Sequence, residues 1–145
     1  MKNRSRARGW ALQALYAWET RGADPSGAAE TFQELARERN ISPKNRGYAD
    51  ALLRLYQTRA GEIDQTLGGL LINWRLGRLA TIDRNVLRLA ATEMLYMDDV
   101  PELVTIREFV RLAERYGTLE SPSFVNGVLD ALMRQTLSGA VPADP

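Results

Sequence analysis

Residues 82–97, IDRNVLRLAATEMLYM, constrain the fold more than any other part of the chain. Wound at the period of an α-helix, Val86, Leu87, Leu89, Ala90, Ala91, Met94, Leu95 and Tyr96 leave little of the surface polar. A helix apolar on nearly every side has to be covered by neighbours, which places it at the centre of a bundle. The flanking segments are suited to cover it. Stop signals fall at Gly22–Gly27, Asn40–Pro43, Gly68–Gly69, Asp98–Pro101, Gly117–Pro122 and in the Gly/Pro-rich stretch from Ser138. Between them run segments with apolar faces at helical spacing and no strand-like alternation.

The spacing predicts helices over about 5–20, 28–39, 43–59, 61–73, 82–97 and 102–116, and one starting at Ser121. Ser5 is placed to cap the first, and Pro122 follows Ser121 as a first-turn proline in the last. Inward faces fall on Ala49, Leu52, Leu53 and Tyr56, on Leu103, Ile106, Phe109, Val110 and Ala113, and on Phe124, Val125, Val128, Leu129 and Leu132. The fold class is therefore all-α, with about seven helices in two small bundles. The expected division is an N-terminal subdomain of about 1–78, a C-terminal one of about 79–138 and a tail of 139–145. No linker separates the two halves, so the reading is a single domain over 1–145.

The chain has no cysteine and no histidine. Thiol nucleophiles, imidazole bases and the usual zinc ligands are thereby excluded, and no metal or cofactor is expected. The glycines at 61, 68 and 69 fit neither a phosphate loop nor a dinucleotide fingerprint. No set of convergent carboxylates suggests acid–base chemistry, so no catalytic residue is assigned and the chain reads as a binding protein. No apolar run is long enough to span a membrane, and Gln13 and Glu19 break the one that follows the basic start. The basic start is accordingly read as part of the fold, and the absence of cysteine fits the cytoplasm.

The net charge of +1 conceals a polarity: residues 1–97 hold 15 Lys/Arg against 10 Asp/Glu, and residues 98–145 hold 4 against 8. Lys2, Arg4, Arg6 and Arg8 come before any acid, with Trp10 and Tyr16 just beyond them. Cations beside aromatic faces are a common way to hold single-stranded RNA, with arginines on phosphates and a base stacked on a ring. Each aromatic taken alone reads better as a partly buried edge of the core. On the helical projection Arg8 falls inside the apolar arc, between Leu12 and Leu15, where a guanidinium needs a compensating partner. Glu93, on the core side of its own helix, is the expected partner. At the start of the last helix, Ser121 and Ser123 with free backbone N–H groups can receive a phosphate or simply cap the helix.

Three stretches together, RSRARGWALQALYAWE, LATIDRNVLRLAATEMLYMDDVPELVTIREFVRLAERYG and SFVNGVLDALM, closely resemble the NusB family of bacterial transcription antitermination factors. The resemblance implies an all-helical, non-catalytic protein. It implies binding to the single-stranded boxA element of ribosomal RNA leader transcripts together with the ribosomal protein NusE, with the RNA polymerase elongation complex engaged indirectly. Some family members form homodimers that cover the RNA face. Carried onto this chain, the RNA contacts fall on the arginine-rich start at Arg4, Arg6 and Arg8, on Tyr16, and on Phe124 with the loop before it. The NusE-facing region falls around Asp83 and the junction, where Arg78 and Arg84 flank it. Two departures stand out: Asn3 and Ser5 interleave the arginines, and Pro122–Ser123 stands where a cation is frequent before the phenylalanine. Both predict fewer phosphate contacts and a shallower salt dependence. The competing reading is a helical protein–protein adaptor, or a homodimeric scaffold, that binds no RNA.

Overall fold

A computed structural model describes residues 3–23, 27–72 and 75–137. Its elements are α1 (Asn3–Thr20), α2 (Ala28–Glu38), α3 (Pro43–Leu70), a 3-10 turn (Leu76–Arg78), α4 (Thr81–Tyr96), α5 (Glu102–Tyr116) and α6 (Ser121–Leu137). There is no strand among the described residues. The chain packs as two compact units, Met1–Thr58 and Arg59–Pro145, whereas the sequence reading set its subdomain boundary about residue 78.

In the first unit α1 packs on α2. The arc read from α1 is the one buried: Ala7, Ala11, Leu12, Ala14 and Leu15. Helix α1 begins at Asn3, so Ser5 lies inside the first turn and is not its cap. It ends where Gly22 takes φ +88 and the Ala23 N–H reaches back to the Trp18 carbonyl at 2.9 Å. Asn40, at φ +53, ends α2 in the same way, with the Ile41 N–H donating to the Ala36 carbonyl at 3.1 Å and Ile41 buried behind it. Ser42 then caps α3, its hydroxyl accepting the Lys44 N–H at 3.2 Å, and Pro43 occupies the first helical position.

The start of α2 is built differently. Gly27 has φ +95 and ψ 165, a region open essentially to glycine alone, and it offers no side-chain cap. The missing acceptor comes from α3, where Gln57 Oε1 takes the Ala29 N–H at 2.5 Å. Farther along, α3 takes non-helical angles at Arg59, φ −114 and ψ 17. The break expected between helices over 43–59 and 61–73 thus falls at this kink, and the six α-helices among the described residues become the expected seven when α3 is counted as two segments. The pair at 68–69 is followed by the end of α3 at Leu70, in keeping with the weak helix propensity of glycine.

In the second unit α4 packs against both α5 and α6, and α5 packs on α6. The central position expected of residues 82–97 is thus realised, with Val86, Leu87, Leu89, Ala90, Ala91 and Met94 buried. Glu93 is fully buried and accepts a hydrogen bond from the Thr105 hydroxyl at 2.6 Å. Arg88 grips Asp64 with both Nε and Nη2 at 3.1 Å and donates to Asn85 at 3.2 Å. Leu103 departs from the expected inward face and is 63% exposed. The buried row of α5 is Thr105, Ile106, Phe109 and Ala113. At 100° per residue Leu103 lies roughly a quarter-turn off its centre.

Gly27→Ala is expected to cost about 1–3 kcal/mol of unfolding free energy, because the residue is forced into a glycine-only region. A Cβ there also stands 2.9 Å from Gln57 Oε1. Gly22→Ala, where a Cβ meets nothing within 4 Å, is expected to cost less, about 1 kcal/mol. Urea unfolding of the two variants checks the order.

Candidate nucleic-acid interface

The candidate residues lie in three groups, and burial sorts each of them. On α1, Arg4 and Arg6 are exposed and Tyr16 is 46% exposed, whereas Arg8 is 3% exposed. Lys2 lies outside the described residues. Arg8 thus follows the helical projection, which turned it inward, and not the motif, which grouped it with the outward arginines. Its side chain is not offered to a ligand at the surface. The guanidinium of Arg8 stands 5.5 Å from the centre of the Tyr48 ring, and that of Arg4, one turn earlier, stands 4.8 Å from the same ring. Tyr48 is a side chain of this group that the sequence reading did not single out. Its signal was its place beside Ala49 at the margin of the buried row of α3, but the residues it meets are 40 or more positions away.

The first turn of α1 contains no acid. A helix start carries a partial positive charge, so arginines there are locally unfavourable and add to a potential that draws anions. Such a tip can hold phosphate groups, and Tyr16, farther along the same helix, offers a ring face to an unstacked base.

The second group lies at the start of α6. Ser123 is exposed and Phe124 is half-buried, consistent with a ring that serves both core and surface. Ser121 is 1% exposed. Its hydroxyl accepts the Thr118 N–H at 3.0 Å and lies 3.3 Å from the Thr118 hydroxyl. Neither role weighed for Ser121 is the one observed: it is the first residue of α6, its hydroxyl ties down the preceding turn instead of capping the helix, and a phosphate has no access to it. Gly117 makes this turn fit, since a Cβ there would lie 2.4 Å from the Ser121 hydroxyl and 2.8 Å from the Ala113 carbonyl. Leu119, in the same turn, is fully exposed.

The third group surrounds the start of α4. Arg78 is exposed. Arg84 folds back on the 3-10 turn, donating to the Leu79 carbonyl at 3.0 Å and the Gly77 carbonyl at 3.5 Å. Asp83, in the first turn of α4, has one carboxylate oxygen buried without a hydrogen-bond partner among the described residues. No group of three potential metal ligands is found among the described residues. No described helix is long and apolar enough to cross a membrane.

Residues 5–134 match the model of the NusB family. The chain belongs to the NusB family. It is 42% identical over 132 residues to the transcription antitermination protein NusB of Sorangium cellulosum, covering 91% of this chain and 92% of that one. It is 43% identical over 121 residues to the NusB of Myxococcus xanthus, covering 83% and 86%. The fold is that of solved NusB structures. T. maritima NusB superposes with a TM-score of 0.84 at 36% identity, over 91% of each chain. A chain from the crystal structure of antitermination factors NusB and NusE in complex with double-stranded RNA superposes with a TM-score of 0.82 at 31% identity, over 92% of this chain and 98% of that one.

Ser121→Ala is expected to lower stability by about 1 kcal/mol through loss of the turn's acceptor. Ser123→Ala, on the exposed side, is expected to change it by less than about 0.5 kcal/mol. Thermal unfolding of the pair checks the assignment.

Proposed function

We propose that this chain is a transcription antitermination factor that holds the single-stranded boxA element of ribosomal RNA leader transcripts jointly with NusE. The reading rests above all on the outward surface of α1, where Arg4 and Arg6 are exposed at the helix tip and Tyr16 presents nearly half its surface farther along. Family membership and the likeness to a NusB–NusE–RNA complex support it. In this reading Arg4 and Arg6 neutralise phosphates, Tyr16 stacks a base, and Ser123 with Phe124 meets the RNA from the α6 turn. Lys2 completes the basic run. The NusE-facing surface is assigned to Arg78, Asp83 and Arg84, with Arg84 acting as much to hold the 3-10 turn as to touch a partner. The work is positional and not catalytic: RNA and NusE are held together on the transcribing polymerase, in the cytoplasm.

The test is a fluorescence-anisotropy titration of a boxA-like single-stranded RNA against a scrambled one, with and without NusE, at several salt concentrations. Preference for boxA that strengthens with NusE supports the reading. Binding of NusE with no RNA preference would make the chain a protein–protein adaptor. Arg6→Ala is expected to weaken RNA binding and to lower the salt slope by about one. Tyr16→Ala is expected to weaken it about 5- to 100-fold, the effect of losing one stacked base. Both leave stability nearly unchanged, whereas Phe124→Ala is expected to lose affinity together with about 2–3 kcal/mol of stability.

A further inference from the structure

Tyr48 lies on α3 and is half-buried, and its ring is approached by two guanidinium groups of α1. Arg4 stands 4.8 Å and Arg8 5.5 Å from the ring centre. The two arginines are four residues apart, hence neighbours on one side of the helix, and like charges at that spacing repel. They also sit at a helix start, where a cation meets the positive end of the dipole. An electron-rich ring face against both guanidiniums counters both effects. It engages a guanidinium through its plane, so the contact with the ring takes up none of the N–H donors that a phosphate would need.

We propose that Tyr48 is a positioning residue for RNA binding: it holds the guanidinium of Arg4 at the tip of α1 in the place where it meets a phosphate. This rests on the RNA-binding reading of the α1 surface and adds to it a residue from another helix that touches no RNA. Arg8, the buried member, fixes the ring from the core side, and Arg4 is steadied on the same ring at the surface. A long exposed arginine otherwise samples many rotamers, which are lost on binding. Arg6, in contrast, meets no such ring among the described residues.

The test is a double-mutant cycle on boxA RNA affinity in the presence of NusE, using Arg4→Ala, Tyr48→Leu and both together, with Tyr48→Phe as the conservative variant. Tyr48→Leu is expected to weaken binding about three- to five-fold. Tyr48→Phe, which keeps the ring, is expected to bind like the parent. In the Arg4→Ala background Tyr48→Leu is expected to have no further effect, because both changes remove the same contact. In the Arg6→Ala background its effect is expected to persist in full. Additive losses from Arg4→Ala and Tyr48→Leu, or an unchanged affinity for Tyr48→Leu, would overturn the inference while leaving RNA binding by the parent chain intact. No boxA preference by the parent overturns both. If Tyr48→Leu fails to fold, the cycle is run with Tyr48→Phe and Tyr48→Met, and parent-like binding by Tyr48→Met then counts against the inference.

Discussion

A helix without a polar side has to be enclosed, and that requirement organises the second unit. Helix α4 contacts both α5 and α6, and its buried residues are distributed around most of its circumference. Enclosure also explains why its polar residues are so closely matched. Glu93 has the Thr105 hydroxyl, and Arg88 has Asp64 in a two-pronged grip with Asn85 beside it. Inside a core each such group costs stability unless it is bonded, so these contacts fix which way α4 is rotated as well as where it lies.

Helix α1 meets the opposite demand, since one face is core and the other carries the cations. Its small buried residues, Ala7, Ala11 and Ala14, let it approach its neighbour closely. The cations are then divided by the helix itself. Arg4 and Arg6 remain outside, whereas Arg8, at the spacing of the apolar arc, is carried in. A run of basic residues therefore overstates the number of cations offered at the surface, and here the winding of the helix decides how many of them remain there.

Where local periodicity dominates, the sequence was a good guide. The core faces of α1, α4 and α6, the inward turn of Arg8 and the stops at Gly22 and Asn40 could all be read from spacing and from the residues that tolerate positive φ. The misses share a cause, since each depends on residues distant in the chain. Leu103 has helical spacing but lies off the row that α4 covers. Tyr48 meets two arginines of α1 that lie 40 or more positions away. Of the candidate site, Tyr16 was chosen from its place at the margin of the apolar arc and Phe124 from family resemblance, and the structure leaves both residues at least partly exposed. Ser121 read somewhat better as a cap than as a phosphate contact, and it is neither: it is buried as the first residue of α6, with its hydroxyl bonded to the Thr118 amide in the turn before the helix.

The bond from Gln57 to the Ala29 amide joins positions 28 apart in the chain. A helix whose own first residues carry a cap can form by itself, but α2 begins at a glycine and borrows its acceptor from α3. Closing that intervening loop has to come first. The opening turn of α2 is thus ordered by the arrival of α3 and released when α3 departs. In native-state hydrogen exchange the Ala29 amide would then report not the fraying of a helix end but the docking of one helix against another.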